Sequence, residues 1–141
     1  MAMLSFLRDA PQKLKDDMEA TRQAALMADD AFRCAEKAHE YFASDEWRKA
    51  CMTVFYPEAD RLARAHANTD LRDEQGNPNT ERLAMIKGQR NQCLLFIGME
   101  NTTKADLEKT AKARIETAAL LERAEKKYRN ARPDNQQQKV A

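Results

Sequence analysis

Three glycines and four prolines in 141 residues leave little material for turns. Aromatic residues make up only 6%, and β-branched residues are sparse. Strands favour β-branched and aromatic side chains, and sheets need frequent turns, so this scarcity disfavours sandwiches and barrels. The cysteines are three, widely spaced at Cys34, Cys51 and Cys93, with no CxxC pair. That excludes a disulfide framework or a zinc knuckle by spacing and reads as reduced thiols packed in helices. No apolar run approaches the roughly eighteen residues a spanning helix needs, and the mean hydropathy is −0.81. The start, "MAMLSFLRDAPQK", has a short apolar stretch and no basic segment before it, unlike a signal peptide. The expectation is a soluble chain with no membrane partner. It would be made in a cytoplasm, a host's if the gene is a phage's, and could end in a virion.

Ala, Glu, Lys, Arg, Leu and Gln dominate, and charged residues reach 33%. These are strong helix formers, so the composition predicts an all-α fold. The net charge of +1 conceals a gradient: residues 1–44 carry −2, 45–75 carry −2, 76–103 carry +1 and 104–141 carry +4. A chain acidic at one end and basic at the other can pair head to tail or offer its basic end to an acidic partner.

Pro11 suits a helix first turn. Beyond it Leu14, Met18, Thr21, Ala25, Ala28, Phe32, Ala35, His39 and Phe42 recur in alternating steps of four and three, a heptad stripe. The spacing predicts a long Ala-rich helix over about 11–43, roughly 45 Å of it. A seam of alanines buries too little area to hold an isolated helix, so this one needs a partner.

Ser44 offers an N-cap, with Asp45 and Glu46 where the helix dipole favours acids. Helical spacing then continues to about residue 70, with Pro57 predicting a kink or a split at "FYPE". "RDEQGNPNT" is a turn. Asn79 or Thr80 should cap a helix over 80–97, with Gly98 ending it. Gly88 lies inside that helix, where a close backbone approach would explain it, and "CLLFIG" reads as the central core. Thr102 or Thr103, with Asp106, offers a fresh cap for a final helix over about 104–131, whose stripe is Leu107, Ala111, Arg114, Ala118, Leu121, Glu125 and Tyr128. The expected architecture is four or five helices, as an antiparallel bundle or extended helical hairpins. One domain would span 1–132, and 133–141 would be a polar flexible tail.

Motifs with chemistry are scarce. "EKAH" sets Glu36 and His39 at i and i+3, half of a carboxylate-bridged di-iron pattern, but Ala63 precedes His66 where a second copy would need Glu. The cysteines have apolar neighbours, unlike an activated thiolate. There is no Gly-rich phosphate loop, GxSxG or HExxH. The pattern points away from an enzyme and implies no cofactor or metal. Phe32, Trp47, Phe55 and Tyr56 are the aromatic candidates for partner contact, although the group beside Pro57 reads first as packing around a kink. Lys109, Lys112, Arg123, Lys126, Lys127, Arg129 and Arg132 could contact phosphate, though Glu108, Glu116, Glu122 and Glu125 are interleaved as on a solvated face.

From "YFASDEWRKACMTVFYPEADRL" through "DLRDEQGNPNTERLAMIKGQRNQCLLFIGMEN", residues 41–101, the pattern resembles small helical proteins of tailed-phage head and DNA-packaging gene clusters. The shared features are a Trp opening a helix, a polar linker, and "KGQ" before the "CLLFIGM" run. Some such proteins resemble small terminase subunits, which form rings that bind DNA, but the N-terminal helix-turn-helix of that group has no counterpart here. The resemblance implies a non-enzymatic assembly protein that oligomerises or docks on phage structural or packaging proteins. The alternatives are a DNA-packaging recognition subunit and a small helical inhibitor of a host protein.

Overall fold

The computed structural model describes residues 2–131, and side chains from residue 10 onward. Arg132 and the expected tail 133–141 lie outside the described residues. The chain is all-α. Its elements are α1 (Ala2–Phe42), α2 (Asp45–Ala50), a π-helical segment (Cys51–Phe55), α3 (Tyr56–Asn68), α4 (Thr80–Ile97) and α5 (Met99–Ala131). The only β feature among the described residues is an isolated bridge, Arg72 to Pro78.

Contacts divide the chain into two compact units. One comprises α1 up to Glu36 and α5 from Asp106 onward; the other is Lys37–Ala105.

In the first unit α1 and α5 run antiparallel, as the pairing of Arg22 with Glu125 and of Asp29 with Arg114 requires. Every stripe position expected on α1 is buried or half-buried, from Leu14 through Phe42. The helix nevertheless begins earlier than expected, at Ala2, and Pro11 lies inside it. Proline removes one backbone donor there, while the surrounding Ala, Leu, Met and Arg favour helix strongly enough to carry it through.

α5 departs further from expectation. It starts at Met99, with Gly98 alone between it and the end of α4. Thr102 and Thr103 do not cap it: their hydroxyls donate to the carbonyls of Gly98 (3.1 Å) and Met99 (2.8 Å), as interior threonines do. Its protected positions follow the expected stripe in part: Leu107, Ala111, Leu121, Glu125 and Tyr128 are half-buried, and Thr103, Thr110, Thr117 and Ala124 are protected beside them. Thr103, Leu107, Thr110, Arg114, Thr117, Leu121, Ala124 and Tyr128 step by four and three; apart from Arg114, all are buried or half-buried, whereas Ala118 is exposed. Thr103, Thr110 and Thr117 recur every seven residues, and each bonds its hydroxyl to the carbonyl four residues back. With its polar atom so satisfied, threonine presents a seam with much the shape of valine.

The second unit has the larger side chains. Ser44 caps α2, its oxygen accepting from the Trp47 amide at 3.2 Å. Pro57 does not split the helix. Backbone angles stay helical through residue 56, and the Tyr56 amide reaches back five residues to the Cys51 carbonyl. Proline in an α-helix collides with the carbonyl four residues before it, and this wider turn directly ahead of Pro57 relieves that crowding. α3 and α4 then pack on one another, with Ala59, Leu62 and Ile86 buried.

The linker between α3 and α4 is ordered by its own polar groups. The Asp73 carboxylate accepts from the amides of Gln75 (2.9 Å) and Asn77 (2.8 Å), and Gly76 takes φ +79°, where a side chain would be strained. Asn79 does not cap α4 with its side chain, which donates instead to the Asp70 carbonyl at 2.8 Å.

Two expectations about α4 are overturned. A Cβ on Gly88 would meet nothing within 4 Å, so no backbone approaches it closely. The "CLLFI" run is not a core: Leu94, Leu95 and Phe96 are exposed, Leu95 by 70%, while Cys93 and Ile97 are half-buried. α3 covers one face of α4, and a run of five apolar residues wraps the helix entirely.

Candidate interaction surfaces

Polar groups tie the α1–α5 seam of the first unit. Arg114 stacks on Phe32, its guanidinium carbon 4.8 Å from the ring centroid, and its Nε lies 3.0 Å from Asp29 Oδ1. The other Asp29 oxygen receives Arg33 at 3.1 Å. Arg22 bridges Glu19 on its own helix and Glu125 on α5. Phe32 therefore spends its ring inside the hairpin. The charged residues Arg114 and Glu125, which interrupt the expected α5 stripe, are the ones making its ion pairs.

In the second unit five aromatic rings form a connected chain. Tyr41 and Phe42 lie against Trp47, with centroids 5.9 and 4.8 Å apart; Trp47 meets Phe55 at 5.5 Å, and Phe55 meets Phe96 at 5.3 Å. One of these contacts is edge-on and three are tilted, all at centroid distances where aromatic pairs attract. Trp47 and Phe55 are half-buried in this chain, while Tyr56 points outward and is exposed. The indole Nε1 of Trp47 is buried with no hydrogen-bond partner among the described residues.

Arg48 and Glu100 pair by two hydrogen bonds, and this holds the Glu100 carboxyl below the usual carboxylate range. Arg61 does the same to Glu58 through bonds of 2.9 and 2.6 Å. Burial pushes the Cys51 thiol up, away from the reactive thiolate. Cys34, in contrast to the expectation of packed thiols, is exposed.

Among the described residues no group of three His, Cys, Asp or Glu side chains is placed to hold a metal. His39 Nδ1 lies 3.1 Å from Thr103 Oγ1, so its ring is engaged with α5, while Glu36 is exposed. No described helix is long and apolar enough to cross a membrane.

The basic candidates Lys109, Lys112, Arg123, Lys126, Lys127 and Arg129 are all exposed on α5, and none makes an ion pair with the described residues. Glu108, Glu116 and Glu122 are exposed on the same helix, so the surface is mixed in sign.

No protein-family model, curated protein or solved structure matches this chain. Function must be argued from its own surfaces.

Among the most distinctive of these, only Tyr56 stands as a partner-contact candidate in the sequence. Thirteen large apolar side chains are exposed among the described residues, including Leu26 and Met27 on α1, Met52 and Val54 before α3, Tyr56 at its start, and Leu94, Leu95 and Phe96 on α4. One signal was available for α1: a second heptad series, Ala20, Ala24, Met27, Ala31, Cys34, Ala38 and Tyr41, runs beside the first and contains no charge.

Proposed function

We propose that this protein is a non-enzymatic helical assembly protein that works through association, first with copies of itself and then with partners. The observation carrying this reading is the imbalance in apolar burial. Only Met18, Cys51, Ala59, Leu62 and Ile86 are buried apolar residues among those described, against thirteen large apolar side chains left exposed. Isolated apolar residues on a surface are ordinary, but so small a core beside so much exposed apolar surface favours a chain completed by neighbours. The likeness of residues 41–101 to phage head and packaging proteins supports placing it in a particle or its assembly line. Light scattering between about 1 and 100 μM tests the reading. A mass that rises with concentration is expected; a constant monomer mass across that range refutes self-association.

A second reading is favoured by one observation, the unpaired exposure of Lys109, Lys112, Arg123, Lys126, Lys127 and Arg129. As a DNA-packaging recognition subunit the chain would lay α5 along phosphates, and binding would weaken steeply with salt. A duplex gel shift at about 50 mM salt that vanishes near 200 mM supports it; no shift at the lower salt removes it.

A further inference from the structure

We infer that α1 carries a self-docking face, and that a second copy of this chain lies antiparallel along it in a register set by Asp30 and Lys37. This rests on the assembly reading above and names its surface. α1 is unbroken from Ala2 to Phe42, so positions along it share faces at heptad spacing. One face, Leu14 to Phe42, is the buried or half-buried stripe already described. The second holds Ala24, Met27, Ala31, Cys34, Ala38 and Tyr41; all are exposed except the half-buried Ala38, with Met27 at 71% and Tyr41 at 60%. It alternates alanine with a larger apolar residue.

That alternation selects a direction. Side by side and parallel, two such faces would stack large on large and alanine on alanine, leaving alternate layers crowded and empty. Antiparallel about an axis between Phe32 and Arg33, each layer opposes a small residue to a larger one: Ala24 with Tyr41 of the second copy, Met27 with Ala38, and Ala31 with Cys34. Charge then selects the register. This alignment brings Asp30 and Lys37 of the second copy to the same flank, offset by two residues or roughly 3 Å along the axis, twice by symmetry. Shifting by one heptad brings Asp30 against Asp30. Both residues are exposed, and neither has an ion-pair partner among the described residues. The opposite flank is Ala28 and Ala35 of the half-buried stripe, whose small side chains allow close approach. A strip roughly 30 Å long and one helix wide is a small interface, so affinity in the micromolar range is expected.

Sedimentation equilibrium of the full chain from about 5 to 200 μM, with circular dichroism as a folding control, tests this. Wild type is expected to reach dimer mass, and Met27→Glu to stay monomeric with unchanged helicity. Asp30→Lys is expected to weaken the dimer about tenfold, and Asp30→Lys/Lys37→Asp to return it to within about twofold of wild type. If wild type dimerises and Met27→Glu dimerises equally, the face is wrong. If the double reversal is no stronger than Asp30→Lys alone, the register is wrong. In both cases self-association itself stands. A wild type that remains monomeric throughout overturns both the face and the assembly reading.

Discussion

The α1–α5 hairpin and the 37–105 unit hold helices together by different means. Among the described residues the hairpin has one buried apolar side chain, Met18. Its seam is alanine, back-bonded threonine and a few polar ties around Asp29, Arg114 and Arg22. The 37–105 unit buries Leu62 and Ile86 and threads five aromatic rings through its elements. A narrow seam of small residues gains little from each contact and depends on geometry repeated over many turns, whereas a few large side chains concentrate stability in single positions. Truncation should therefore be costly in one unit and mild in the other.

Leu62→Ala should be the most damaging change. Leu62 is 3% exposed, and removing it should cost about 3 kcal/mol by urea denaturation. Trp47 is the sole tryptophan and sits in the same unit, so its fluorescence should report this loss directly. If helical circular dichroism and Trp47 fluorescence shift together, the two units unfold as one; if fluorescence shifts first, the contrast is thermodynamic as well as structural.

Arg114→Ala should cost about 1 kcal/mol, since its ion pair with Asp29 and its stack on Phe32 are both partly solvated. A loss of several kcal/mol in denaturation would mean the hairpin hinges on one knot, contrary to a seam of many small contacts.

Gly88→Ala should stabilise the 37–105 unit by about 0.5–1 kcal/mol, because the site is an open helix interior. Destabilisation in thermal melts would show that something covers this face.

The subtlest expectation concerns pH. Arg48 lowers the Glu100 carboxyl in the folded state, so the folded form binds protons less readily than the unfolded one. The stabilisation is present above the ordinary carboxylate range near 4 and is lost as pH falls through the lower folded value. Titrating stability from pH 6 to pH 2.5 should give a shallower decline in Glu100→Gln than in wild type. Identical slopes would show that the pair does not persist in solution.

Helix content, the α1 stripe, the Ser44 cap and the bounds of α4 were legible because each rests on local pattern. The α5 seam was legible only in part: Leu107, Ala111, Leu121, Glu125 and Tyr128 are half-buried as expected. The expected stripe contains Ala118, which is exposed, and lacks the half-buried Thr110 and Thr117. Their hydroxyls look polar in a sequence and are hidden only once each finds its helix carbonyl. The "CLLFI" run misled for the opposite reason: hydrophobicity marks a wish to be covered, and only packing shows which face has a cover. The second α1 face was visible in the periodicity, but its importance depends on its remaining open.

Sequence alone determined that this chain would be helical, because propensity, caps and heptad spacing act within a few residues of each position. Tertiary structure decided which helix faces meet, that Pro57 is absorbed by a π turn, and which apolar residues are left outside. Those outcomes depend on partners distant in the chain, and a helix with two apolar faces does not record which one its own chain will cover.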